Sequence, residues 1–273
     1  MRKARSTEPT RKGGPLADAF YLPLGGGRFS PTGHTAGPWT ADAQHFGPPS
    51  ALLVRALEEL GAGQGKQLAR VTVEILGPAP LTELSVRARV DRPGRSVELV
   101  SAELDGGGRT IARASAWRIA TSDTTGVMTS DADPLPSPED APVARWPAGW
   151  DTGYLSAVEW RAVAGSPDVP GPATVWARQR VPLVDGEKPS PLQRLFAVAD
   201  SANGASNFLD PRQWWFINSE LTVHLRREPA GEWIGLDATT LVGPNGIGTS
   251  TSTLHDTEGP VGTGARALLV RPR

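Results

Sequence analysis

Two acids stand at the same distance behind a proline. Asp200 lies nine positions after Pro191 in PLQRLFAVAD, and Glu58 lies nine positions after Pro49 in PSALLVRALE. A carboxylate on a helix beside apolar side chains is costly unless it is partnered or used, and its uses are to hold a water or to take a proton. Asp200 has this setting, with Phe196 and Ala199 on the apolar stripe before it. A capping role ahead of the Asn203-Gly204 turn accounts for the same residue without chemistry. Glu58 continues a helical LEEL context, which reads as a solvent-facing Glu more readily than as a second acid. Thr222, in ELTVHL, offers a hydroxyl that can orient a water, although Thr is also an ordinary strand residue. His45 opens HFGPP just before a helix, where backbone N–H groups and the positive end of the dipole suit a developing oxyanion. The amides from His45 to Pro48, Gly47 among them, are therefore candidate receivers of a carbonyl oxygen. A plain loop histidine is the alternative.

These residues need elements to hold them. Ala51, Leu52, Val54, Leu57 and Leu60 share one face at helical spacing, as do Leu192, Leu195, Phe196 and Ala199. Each helix is followed by alternating strand patterns with matching wording, RVTVEIL at 70–76 and ELTVHLR at 220–226, in which Thr72 and Thr222 correspond. Three more strand patterns follow in each half, punctuated by RPGR, DGGG and PNGIG turns. A sheet with one apolar face must bury it, and the helix is what each half has for that purpose. The chain therefore reads as α+β, two tandem helix-plus-antiparallel-sheet units over 16–120 and 148–273. A Ser/Thr/Asp/Pro-rich linker occupies 121–147, and 1–15 is a basic arm, expected to be disordered and solvated.

Composition narrows the function classes. With 28 basic and 29 acidic residues in 273, the net charge of −1 favours neither nucleic acid nor a membrane surface. Cysteine is absent, which removes disulfides, thiolate metal sites and a thiol nucleophile. His34, His224 and His255 are scattered and no metal site is read. The GGG runs at 25–27 and 106–108 are turns, lacking the strand-loop-helix order of a phosphate loop. No apolar run suggests a membrane span or a secretory leader, so a cytoplasmic protein is expected. The 31 Gly and 26 Pro sit mainly in hairpin turns and pre-helix loops. Nine Trp against 2 Tyr call for buried or cleft-lining surface, and Trp214, Trp215 and Phe216 read as core at the junction of the halves, as an acyl-pocket wall, or as both.

In combination, FSPTGHTAGPWTADAQHFGPPSALLVRALE, VDRPGRSVELVSAEL, VPLVDGEKPSPLQRLFAVADSANGAS and NSELTVHLRREPAGEWIGLDA resemble the double-hotdog acyl-CoA thioesterases of type II, in their actinobacterial form. The resemblance runs from about Ala17 to the C-terminus. It implies a double hotdog: two hotdog units whose sheets join side by side into one continuous sheet. It implies an acyl thioester substrate, of coenzyme A or an acyl carrier protein, whose pantetheine arm enters near the junction. No cofactor is implied beyond that arm, and a homo-oligomer is a family expectation. Asp200 and Thr222 fall on the family's water-activating Asp and Thr. The family's third member, a Gln, falls on Arg266, a donor-only side chain that can stabilise an oxyanion or pair with Asp200. Asn203, His45, Phe46, Gly47, Glu58 and Trp215 are the residues expected to border the substrate. Hydrolysis by an Asp-activated water is the first reading. Biosynthetic proton-transfer chemistry on a carrier-bound or released intermediate is the second, and a non-catalytic acyl-thioester binder is the third.

Overall fold

The computed structural model describes residues 18–40, 42–60, 65–130 and 132–273. The basic arm expected over 1–15 lies outside the described residues. The first half holds β1 (Tyr21–Gly25), β2 (Arg28–Pro31), α1 (Gly47–Glu59), β3 (Lys66–Ile75), β4 (Leu84–Arg92), β5 (Val97–Gly106) and β6 (Arg109–Ala120). The second holds β7 (Val158–Ala164), β8 (Ala173–Gln179), α2 (Pro191–Ala199), the single turn α3 (Ala202–Ala205), β9 (Trp214–Asn218), β10 (Glu220–Leu225), β11 (Trp233–Val242), β12 (Ile247–Asp256) and β13 (Gly259–Pro272). All join one antiparallel sheet in the order β1-β2-β4-β5-β6-β3-β10-β13-β12-β11-β8-β7, with β9 on β13. The expected α+β class with one continuous sheet is what is seen.

The halves meet at β3 and β10, and the repeat seen in the sequence lies on that seam. Thr72 and Thr222 are register partners, and their Oγ1 atoms are 3.1 Å apart. The inner face of the sheet carries Val71, Val73, Leu221 and Val223, all fully buried, against the two helices. Ser190 caps α2 by accepting the Gln193 amide at 3.1 Å, with Pro191 at the first helical position. In α1 the prolines at 48 and 49 occupy the first turn, where missing amides cost nothing.

The helices approach so that the start of α1 meets the end of α2. Gly47 permits this: a Cβ there would stand 2.1 Å from the Ala197 carbonyl oxygen. At the opposite end, the last turn of α1 reaches the cap of α2. These two helix-end contacts are the places where the paired acids fall.

The segment expected as a linker is laid along the second half over its C-terminal part. Ala144 donates its amide to Trp160 at 2.9 Å, and Ala162 donates to Pro142 at 2.8 Å. Trp176 donates its indole N–H to Pro136 at 2.8 Å, and Ala141 packs with Trp176 and Trp233.

Candidate active site at one end of the helix pair

Asp200 caps the C-terminus of α2 and is only 5% exposed. Burying a carboxylate to that degree requires partners, and both oxygens have neighbours. Oδ1 accepts from Asn218 Nδ2 at 2.8 Å, while Oδ2 lies 3.5 Å from His45 Nδ1. Asn218 is itself fixed by donating to the Glu220 carbonyl at 3.2 Å.

His45 is oriented from three sides. Its Nδ1 accepts the Gly47 amide at 3.0 Å, its own amide donates to Thr35 at 2.8 Å, and its ring stacks on Tyr154 with centroids 3.8 Å apart and planes 6° from parallel. A nitrogen that accepts carries no proton, so the neutral ring holds its hydrogen on Nε2. Burial lowers the His45 pKa below that of a free imidazole, Asp200 opposing the shift and Arg266 adding to it. The neutral form is thus the resident one. Tyr154 donates to the Ala197 carbonyl at 2.7 Å and shares a 2.9 Å hydrogen bond with Ser201. Burial pushes its phenol pKa far up, so it remains a phenol.

Asp200 and His45 open onto a cavity of about 440 Å³ that Gln44, Phe46, Trp146, Asn203, Trp215 and Asn218 also line. Asn203 donates to the Phe216 carbonyl at 3.1 Å. Prolines 48 and 49 have no amide hydrogen, and the amides of His45, Gly47 and Ser50 are engaged. The Phe46 N–H has no acceptor among the described residues.

The residues expected at the site divide. Asp200, His45, Phe46, Asn203 and Trp215 converge on this cavity. Gly47 does not line it; its amide is committed to His45 and its missing side chain admits α2. Glu58 belongs to the other end of the helix pair, where it accepts from Ser190 Oγ at 2.8 and 3.0 Å and from Gln193 Nε2 at 2.7 Å. It is half-buried and braces the α2 cap through Ser190, and it does not line the cavity. Thr222 stands on the outer face of the sheet with Thr72 and Glu220, bonded to Glu220 Oε2 at 3.0 Å. The reason is a one-residue slip at Ser219. Asn218 pairs with Leu268, yet Thr222 pairs with Ala265, so the register shifts by one and the inward parity passes from Phe216 and Asn218 to Leu221 and Val223. The polar side chain that reaches Asp200 is therefore Asn218, which the alternation pattern hid.

Arg266 points inward but stays behind the site. It is 2% exposed, donates from Nη2 to the Ala199 carbonyl at 2.8 Å and from Nη1 to Ser250 Oγ at 3.3 Å, and does not line the cavity. Burial lowers its pKa to about 10, with Asp200 and Glu220 opposing the shift, so the group is a cation at neutral pH. A guanidinium at a helix C-terminus complements the dipole and ties down the residue preceding Asp200. Among the described residues its hydrogen-bond partners do not include Asp200.

Residues 35–119 match the family model described as the acyl-CoA thioesterase N-terminal domain, and residues 138–270 match that of the acyl-CoA thioesterase C-terminal domain. None of the curated proteins matches. Among solved structures, a hot dog fold protein of unknown function from Alicyclobacillus acidocaldarius is similar at a TM-score of 0.72 and 17% identity, covering 93% of this chain and 97% of that one. The TesB protein of Mycobacterium avium subspecies paratuberculosis follows at 0.66 and 16%, covering 92% and 96%. The acyl-CoA thioesterase II TesB2 of Mycobacterium marinum stands at 0.62 and 14%, covering 93% and 95%. At these identities the likeness is one of fold.

Proposed function

The chain belongs to the acyl-CoA thioesterase family, its N- and C-terminal domains in tandem, and from that premise we propose that it hydrolyses an acyl thioester with Asp200 as the base. The observation that carries the reading is a carboxylate buried to 5%, held on one oxygen by Asn218 and still bordering a cavity. In the proposed step Asp200 takes a proton from a water as that water adds to the thioester carbonyl carbon. The resulting oxyanion is met by the Phe46 N–H and the Nε2–H of neutral His45. The C–S bond then breaks, the thiolate leaves with the proton held by Asp200, and a free acid and a free thiol result. Coenzyme A, or the phosphopantetheine of an acyl carrier protein, enters as part of the substrate, and no further cofactor is invoked.

The test is release of thiol from acyl-CoA and acyl-carrier-protein substrates by the purified chain, with Asp200→Asn as the control. Release that disappears in the variant supports the reading; no release from any substrate refutes it. One observation favours a second reading, proton transfer α to the thioester carbonyl: Asp200, an acceptor, and neutral His45, which carries its proton on Nε2, border one cavity. Hydration of an enoyl thioester, followed by loss of its ultraviolet absorbance without thiol release, is the result that reading requires.

A further inference from the structure

The walls of the cavity speak to the acyl group, and this inference rests on the thioesterase reading of the same site. Its lining includes four indoles, Trp39, Trp146, Trp150 and Trp215. They form a connected belt. Trp39 meets Trp150 edge-on at 5.2 Å and lies 5.7 Å from Trp215, while Trp146 and Trp150 run nearly parallel at 6.4 Å.

The two ends of the belt differ. At Trp215 the guanidinium of Arg273 stacks 3.7 Å over the ring, and the exposed Arg271, paired with Trp215 across the ladder, also lines the cavity. That end reaches the exposed surface at Arg271 and Arg273, where cations suit the phosphate that begins a pantetheine arm. At the other end Trp146 packs edge-on against buried Trp160 at 5.0 Å, and Trp160 meets buried Tyr154 at 6.4 Å. The rings beyond Trp146 fill the space into which a chain would otherwise extend.

Size and shape then point the same way. A cavity of about 440 Å³ lies in the lower part of the range for ligand sites, roughly 300–1,000 Å³, and it must admit the end of the pantetheine arm as well as the acyl group. The remainder suits a ring and not a long chain. Rigid indoles set edge-on and in parallel also present the offset and edge-to-face surfaces that another ring prefers, worth about 0.5–1.5 kcal/mol per pair beyond area burial. A flexible alkyl chain takes no such gain and loses rotamer freedom on entering.

We propose that the acyl group is a single ring, aromatic or cyclic, attached close to the thioester carbonyl, with Trp146 and Trp150 as the residues that select it over linear chains. The experiment is a calorimetric titration of the full chain with non-hydrolysable coenzyme A thioethers, S-benzyl and S-phenacyl against S-octyl and S-decyl, so that its outcome does not depend on turnover. The ring-bearing thioethers are expected to bind at least tenfold more tightly. In Trp146→Leu and in Trp150→Leu, variants that keep an apolar side chain, the ratio is expected to fall to within about threefold, whereas Trp233→Phe, which alters an indole outside the belt, leaves it unchanged. Equal or tighter binding of the octyl or decyl thioether overturns the inference, as does a preference for rings that survives both belt substitutions. Thiol release from linear acyl-CoAs alone would leave the hydrolase reading standing and remove this one.

Discussion

The two ends of the helix pair are built from the same plan and do different things. At each, an acid on one helix faces the N-terminal turn of the other. Glu58 meets Ser190 and Gln193 within 3.0 Å and saturates its oxygens on an α2 cap. Asp200 meets His45 at 3.5 Å, keeps a single close side-chain donor in Asn218, and opens on a cavity. The difference lies in the opposing turn. Where Ser190 and Gln193 donate to the acid it is tied into a helix cap; where Asn218 donates to one oxygen and His45 stands 3.5 Å from the other, the acid borders a cavity.

Exchanging or disabling either end tests that contrast. The largest expected effect is at Asp200: Asp200→Asn should lower kcat by about 10²–10⁴, the range for loss of a general base, with KM little changed in a steady-state thiol-release assay. Arg266→Met comes next. It removes the buried donor that holds the Ala199 carbonyl and Ser250, so chemical denaturation should show a loss of about 1–3 kcal/mol and kcat should fall together with it, Arg266→Lys recovering part of both. Gly47→Ala drives a Cβ toward the Ala197 oxygen; overpacking of this kind costs about 1–3 kcal/mol, seen as a lowered urea midpoint, and it should also raise KM by displacing the His45 loop.

A smaller effect is expected from pH. Burial holds the folded His45 pKa below the usual imidazole value, so between about 6.5 and that lower value the unfolded chain binds the extra proton. Stability from this group is complete above about pH 6.5 and declines as the pH falls. The wild type should lose more stability between pH 7.5 and 5.5 than His45→Gln, measured by urea unfolding at each pH. Smallest of all is Glu58→Gln, which keeps an acceptor for the Ser190 hydroxyl. Thiol release should change less than about threefold, and only the thermal midpoint should move.

Much of this arrangement was legible from residues alone, and the misses have identifiable causes. The Pro-to-acid spacing located both helix ends, whereas the place of the repeat equivalents Thr72 and Thr222 on the seam of the sheet is visible only in the β3–β10 register. Trp215, expected as core at the junction, as a pocket wall, or as both, lines the cavity. Thr222 did not read correctly as a partner for Asp200, since strand alternation assumes an unbroken ladder and one slipped residue at Ser219 reverses which side faces the helices. Asn218 follows directly from that slip. Glu58 eluded a helix-only reading because its partners, Ser190 and Gln193, come from the other half of the chain. Arg266 was placed only by its match to the family's Gln, and a long side chain does not declare how far it reaches; its Nη2 stops at the Ala199 carbonyl.

The most direct measurement is a side-by-side thiol-release assay of the wild type, Asp200→Asn and Glu58→Gln on one acyl-CoA panel. The account predicts turnover in the wild type and in Glu58→Gln and a fall of at least a hundredfold in Asp200→Asn. Equal impairment in the two variants, or retention of turnover without the Asp200 carboxylate, would contradict the claim that only one end of the helix pair is an active site.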